Sequence, residues 1–270
     1  MLQQLKQGKV ILALSIPLAL CVVIASYYGI FTNLYKLETT NWNAQAIGQD
    51  IIDLFVVTPV LLIAAFLSYN NHKTAMLIWG GTVIYLLYTF LIYTFSVHFN
   101  SMFIVYCFAL GLSFYSFLYF ILCIGKEELN EWFSENAPVK FTAVYFIIIF
   151  VMFYFLWLSQ IIPAISGGTV PADLRESGLF TNPVHVIDLS IFLPAILLTA
   201  IFLLRKNPLG FLLAPAILMF FILMDITLAF LIVVMNSRGI ESSYTVAIIM
   251  SILAVFSLFV LMWWVRWKKK

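Results

Sequence analysis

Charged side chains are scarce in this chain, and their scarcity excludes most classes of soluble protein. Only 10% of the 270 residues are charged, whereas 64% are hydrophobic. A soluble fold of this length would have too little polar material to cover its surface. The net charge of +2 is too small to indicate a nucleic-acid partner, and none is expected.

Cysteine is also scarce, and its spacing excludes two common kinds of site. The three cysteines are Cys21, Cys107 and Cys123, and none of them forms a CxxC pair. Thiol redox centres and zinc ribbons therefore lose their usual sequence support. All three residues lie in apolar runs, where a cysteine is typically a small buried apolar side chain.

Long apolar runs fill nearly all of the sequence. A helix that crosses a hydrocarbon core roughly 30 Å thick needs about 20 residues, and it satisfies its own backbone hydrogen bonds in lipid. Eight runs meet this requirement, and the sequence predicts an all-α, polytopic transmembrane helix bundle. The predicted spans are 10–31, 51–69, 76–97, 102–125, 141–165, 185–204, 209–235 and 246–265.

Basic residues are distributed unequally between the two sides that these spans define. If the N-terminus is cytoplasmic, eleven of the 14 Lys and Arg residues lie inside and three lie outside. Short cytoplasmic loops are typically enriched in basic residues. We therefore predict a multi-pass protein of the bacterial inner, or plasma, membrane with both termini in the cytoplasm.

One connecting segment has a pattern of its own. Residues 126–138 place Leu129, Trp132 and Phe133 at helical spacing among four glutamates. This pattern is typical of an amphipathic helix that lies on a membrane surface. We predict a short cytoplasmic interfacial helix there.

The two halves of the sequence share a pattern at an offset of 135 residues. Asp53, Leu54 and Pro59 in the second span correspond to Asp188, Leu189 and Pro194 in the sixth. Because the second copy lies four spans after the first, both halves would have the same orientation, which predicts two parallel four-helix repeats, 1–135 and 136–270. The alternative is that each proline kinks its helix independently.

Acidic side chains inside the spans are the strongest functional signal. An ionised carboxylate in hydrocarbon must be protonated, hydrated, paired or bound to a cation, and no basic residue lies inside a predicted span to pair with it. Asp225 lies nearest the middle of its span and is the best single candidate for a proton or cation relay. The groups near the outer ends of the spans predict an outward-open polar pocket lined by Asp50, Asp53, His98, His185 and Asp188, with Gln49 and Gln160 as neighbours.

Three classes of function remain compatible with this pocket. A transporter, or another membrane protein that binds a small solute, proton or cation, is favoured by the parallel repeat and by Asp225. A metal-dependent enzyme at the outer leaflet is the second class, with His98 and His185 joining Asp53 and Asp188 as ligands for zinc or iron. Haem on the two histidines ranks below such a metal. The third class is a non-catalytic subunit or assembly factor.

Overall fold

The computed structural model describes residues 2–124, 132–134 and 136–267, without the side chains of residues 2–6, 123 and 124. This part of the chain contains no β-strand, and eight of its helices are long and apolar enough to cross a membrane. The predicted all-α bundle of eight spans is confirmed, and the chain is a multi-pass membrane protein in a lipid bilayer. The predicted interfacial helix lies mostly outside the described residues, although Trp132 and Phe133 are buried.

The eight long helices are separated by short connections, apart from 125–138 and a longer loop at 167–182 that contains a short helix, Ala172–Ser177. A π-helical segment, Phe120–Ile124, follows the fourth long helix. The long helices are α1 Leu2–Phe31, α2 Thr40–Tyr69, α3 Lys73–Ser96, α4 Phe103–Tyr119, α5 Val139–Ser166, α6 Pro183–Leu204, α7 Pro208–Ser237 and α8 Tyr244–Arg266.

The start of α2 differs most from its prediction. The helix begins at Thr40 rather than at residue 51, because Thr39 caps it by accepting the N–H of Trp42 at 3.3 Å. Residues 40–50 are too polar for a hydropathy pattern to include, yet they continue the same helix. Asp50 therefore lies about 15 Å inside α2, and its predicted position at a helix end is wrong.

Contacts between connections define two ends of the bundle. At one end, which we call the loop end, Thr39 donates a hydrogen bond to the carbonyl oxygen of Ser177 at 3.2 Å. At the other, which we call the termini end, the N–H of Ser134 donates to the carbonyl oxygen of Trp267 at 2.9 Å. The loop end corresponds to the outside in the predicted orientation.

Helices α3 and α7 are the most buried of the eight and cross at the centre of the bundle. Gly81 permits this crossing, since a Cβ atom there would overlap the carbonyl oxygen of Ala216 and lie 2.6 Å from the Cβ of Met219. One turn further along α3, the Tyr85 ring contacts the Phe220 ring at 6.4 Å between centroids. Both pairs, 81 with 216 and 85 with 220, join residues 135 apart.

Several backbone features recur at the same offset of 135 residues. Five-residue π-helical segments occur at Asp53–Val57 and at Asp188–Phe192. Asn71 and Lys206 both adopt a left-handed conformation, with φ of 64° and 53°, in the turns that follow α2 and α6. The helices α1 and α5 end at residues 31 and 166, which again differ by 135.

Proline explains why α2 and α6 each contain a π-helical segment at this position. Pro59 and Pro194 have no N–H to donate, and a proline ring collides with the carbonyl four residues earlier. The chain responds by shifting to bonds that span five residues, with the N–H groups of Thr58 and Leu193 donating to the carbonyl oxygens of Asp53 and Asp188. Such π-helical turns within α-helices occur frequently at functional sites.

Candidate functional site

The Asp50 carboxyl is enclosed by hydroxyl groups. It is 1% exposed, and it accepts the O–H of Tyr35 at 2.6 Å and the O–H of Tyr93 at 3.1 Å. Gly29 on α1 gives it space, because a Cβ atom there would overlap the carboxyl. Burial, together with the charge of Asp50, raises the pKa of Tyr35 well above its usual range, so Tyr35 remains a hydrogen-bond donor.

The Asp53 carboxyl is enclosed in a similar network one turn further along α2. It is 2% exposed and accepts the O–H of Tyr85 at 2.9 Å and the side-chain N–H of Gln49 at 3.1 Å. Tyr85 also lies 2.8 Å from the hydroxyl of Thr227 on α7. Asp50 and Asp53 therefore do not line an outward-open pocket, and this part of the prediction is not supported because protein donors surround both groups.

The Asp188 carboxyl in α6 is bound by two different helices. Its oxygens accept the O–H of Tyr88 on α3 at 3.1 Å and the indole N–H of Trp157 on α5 at 2.8 Å. His185, one turn earlier, packs its ring against that of Trp157 at 4.6 Å between centroids. The exposed fractions of Asp188 and His185 are 8% and 7%.

The first turn of α6 is positioned by Asn182. The Asn182 side chain accepts the N–H groups of Val184 at 2.9 Å and His185 at 3.3 Å, and Pro183 occupies the first helical position. Its amide N–H donates to Asp173 in the short loop helix at 2.8 Å. The loop 167–182 is thereby tied to the start of α6.

The Asp225 carboxyl differs from the other three acids because it accepts no hydrogen bond from any described residue. It is 7% exposed, and Phe221, one turn earlier on the same face of α7, packs against Tyr145 and Phe146 of α5. Asp225 lies within electrostatic range of Tyr145, whose hydroxyl is 2.9 Å from that of Ser257 on α8.

Two predicted site residues lie away from these acids. His98 is on the connection between α3 and α4, where its side chain is 53% exposed and its Nδ1 lies 2.9 Å from the Glu38 carboxyl. The Gln160 side chain is exposed on α5, and its predicted place in the pocket is not supported. A single polar residue near the end of an apolar run gives no indication of which way it faces.

The metal site of the alternative hypothesis does not assemble among the residues that the structure describes. Among the described residues, no group of three His, Cys, Asp or Glu side chains could hold a metal ion. His98 is bound to Glu38, whereas His185 packs on Trp157 and Asp53 is enclosed by Tyr85 and Gln49. The same separation gives no support to haem ligation by the two histidines.

The His98 contact itself leads to a modest prediction. We expect His98→Ala to lower the free energy of unfolding by about 1 kcal/mol, because Glu38 keeps its 2.7 Å hydrogen bond from the backbone N–H of residue 98. Thermal unfolding in detergent measures the change, with His72→Ala, at an exposed turn on the termini end, as the control. Collapse of the fold in His98→Ala would contradict this assignment.

Aromatic residues supply most of the partners that the sequence does not identify. The hydroxyl groups of Tyr85, Tyr88 and Tyr93 on α3 donate to the three acids Asp53, Asp188 and Asp50, respectively. The role of Trp157 was not predicted. The sequence gives only a general indication of such partners, because any Trp N–H or Tyr O–H inside an apolar span needs a hydrogen-bond partner.

Comparison with known proteins does not assign a function to these residues. No protein-family model, no curated protein and no solved structure matches the chain at a significant level. A function can therefore be proposed only from the residues of the bundle and their contacts.

Proposed function

We propose that this protein is a proton-coupled transporter of a small solute, and that Asp225 carries the coupling proton. The observation on which this depends is the Asp225 carboxyl, which is buried and accepts no hydrogen bond from the described residues. An acid in that position is stable when protonated and costly when ionised. Reversible protonation of such a group can be linked to a change in helix packing.

Polar groups spaced along α5 support a proton path beside Asp225. Trp157 near the loop end contacts Asp188, Tyr145 pairs with Ser257, and Thr142 accepts the indole N–H of Trp264 at 2.9 Å near the termini end. Trp157 lies fifteen positions after Thr142, so the two residues are about 22 Å apart along a hydrocarbon core roughly 30 Å thick. Asp225 on α7 contributes a carboxyl group between the depths of Trp157 and Thr142.

Charge balance favours a proton over a bound organic anion. Among the residues that the structure describes, four aspartates and no Lys or Arg are buried within the eight long helices. Interior cations would be needed to attract an anionic solute, whereas neutral and cationic solutes are compatible with carboxyl groups. We therefore propose a neutral or cationic solute that moves together with, or in exchange for, protons.

We infer further that residues 1–135 and 136–270 are two parallel repeats. The support is the recurrence, at one unbroken offset, of the π-helical segments, the left-handed turns and the ends of α1 and α5. Gly81 with Ala216, and Tyr85 with Phe220, are contacts between equivalent positions, as expected on a two-fold axis between α3 and α7. Many transporters are built from such repeats, with sites at broken helices between them.

The repeat also bears on orientation in the membrane. Parallel repeats of four helices place both termini at the same end, and the excess of basic residues favours the cytoplasm for that end. We propose the bacterial inner, or plasma, membrane as the location. Fusion of a reporter enzyme to residue 270 tests the side on which the C-terminus lies.

Proteoliposomes that contain an internal pH dye test the proposed function. Pools of small solutes are added outside, and we expect at least one pool to produce a protein-dependent change in internal pH. In Asp225→Asn this change should fall at least tenfold, because the amide cannot release a proton. Glu241→Gln, at an exposed acid in the connection between α7 and α8, is the matched control and should retain the flux.

Infrared spectroscopy provides a readout that needs no solute. We expect the purified protein to show a protonated-carboxyl band that is lost in Asp225→Asn and retained in Glu241→Gln. If Asp225→Asn kept both the band and the solute-driven proton flux, Asp225 would not be the coupling residue.

A further inference from the structure

His185 contains an unsatisfied polar group near the loop end. Its side chain is more than nine-tenths buried, and its Nε2 has no hydrogen-bond partner in the described part of the chain. A buried polar atom without a partner costs about 1–3 kcal/mol. Such an atom indicates either a bound species or a group that changes its protonation state.

The equivalent position in the first half has its own partners. His185 corresponds at the 135-residue offset to Asp50, which accepts bonds from Tyr35 and Tyr93. The residues at the same offset from those tyrosines are Val170 and Leu228, which have no polar side-chain atom. The second half therefore lacks the hydroxyl groups that satisfy this position in the first half.

We propose that His185 and Asp188 form the site that exchanges protons with the aqueous phase at the loop end. This inference rests on the proposed proton-coupled function and assigns the second half, rather than the first, as the half that exchanges protons. A proton from water binds Nε2 of His185, and the resulting imidazolium is balanced by the Asp188 carboxylate three residues later on the same helix face.

The surroundings of Asp188 are suited to both protonation states. The N–H of Trp157 and the O–H of Tyr88 stabilise the carboxylate while His185 is charged. No His185 nitrogen lies within 4 Å of an Asp188 oxygen in this structure, so the proton passes to Asp188 through water or after a rotation of the imidazole. After the transfer, imidazole and carboxylic acid are both neutral. One proton is transferred, and no unbalanced charge is left in the apolar interior.

Few other titratable groups lie near His185. Asp188 is on its own helix, Tyr88 contacts the site from α3, and Asp173 on the loop helix acts on His185 electrostatically and binds Asn182. Helix α5 contributes the neutral indole of Trp157. The described neighbours therefore contribute negative charge or none, which favours an imidazolium over a second buried carboxylate at this position.

Fluorescence of Trp157 reports the protonation of His185 directly, because an imidazolium quenches an indole in contact with it. We expect the emission of the full-length protein in detergent to fall on acidification. This decrease in emission should be lost in His185→Gln and in Trp157→Phe. In Asp188→Asn the decrease should be smaller than in the wild type at every acidic pH. The matched controls are His98→Gln and Asp53→Asn, which should titrate like the wild type.

Nuclear magnetic resonance gives a second measurement that does not depend on Trp157. The protein has three histidines, so a ¹³C-histidine-labelled sample yields three signals, and the signal lost in His185→Gln is that of residue 185. We expect this signal to shift with pH. A His185 signal that stays constant while the protein remains folded, or quenching that persists in His185→Gln, overturns the proposal.

These results can be separated from the test of the proposed function. Titration of His185 without any Asp225-dependent proton flux would overturn the transport proposal and leave a protonation site at His185. Flux that requires Asp225 but survives unchanged in His185→Gln would support transport and overturn His185 as the exchange site.

Discussion

Gly81→Leu should destabilise the protein more than any other single change at a glycine of the bundle centre. The new side chain would be directed at the Ala216 carbonyl and the Met219 Cβ, neither of which can move without shifting α7. Overpacking of this kind costs about 3 kcal/mol, which corresponds to a decrease of about 6–12 °C in melting temperature. Thermal unfolding in detergent, followed by circular dichroism, measures the effect.

Gly111→Leu is the control for this prediction. Gly111 lies in α4, and a Cβ atom there would meet nothing within 4 Å. Both substitutions replace glycine by the same good helix former, so intrinsic helix propensity favours both variants equally. Equal stability of the two variants would show that α3 and α7 do not approach each other as closely as the structure indicates.

Asp53→Leu should lower the free energy of unfolding by about 2 kcal/mol, or the melting temperature by about 4–8 °C. The leucine side chain fills the space but leaves the Gln49 amide without the acceptor that it has at 3.1 Å. It also removes one of the partners of the Tyr85 hydroxyl.

Asp53→Asn separates the hydrogen-bonding role of this residue from its charge. The asparagine keeps an oxygen that accepts from Tyr85 and Gln49, so we expect stability close to that of the wild type. The same variant should retain the solute-driven proton flux, since we assign proton exchange to the second half. Loss of flux in a stable Asp53→Asn variant would show that both halves carry protons.

Hydropathy alone predicts the long helices well because lipid imposes a single requirement on all of them. Each span must be apolar and about 20 residues long. The start of α2 was predicted wrongly for the same reason, since polar residues 40–50 are protected by neighbouring helices rather than by their own composition. Pro59 and Pro194 indicated a disturbance in α2 and α6, but proline alone does not distinguish a kink from a π-helical segment.

The candidate site was less predictable because side-chain partners depend on how helices rotate and pack. The sequence indicated that Asp53, Asp188 and Asp225 need partners or protons, but not that Tyr85 and Trp157 supply them for the first two. His98 and His185 could be grouped only by their shared position near one end of the spans. In the structure each histidine contacts a different neighbour, so the hypothesis of a common metal ion loses its support.

Tyr85 and Tyr88, three residues apart on α3, reach acids on two different helices, one in each half of the chain. Tyr85 donates to Asp53 on α2, and Tyr88 donates to Asp188 on α6. A rotation or sliding of α3 large enough to release one acid would also disturb the other. The two halves of the bundle are consequently coupled, and a rearrangement that begins in either half is expected to be cooperative.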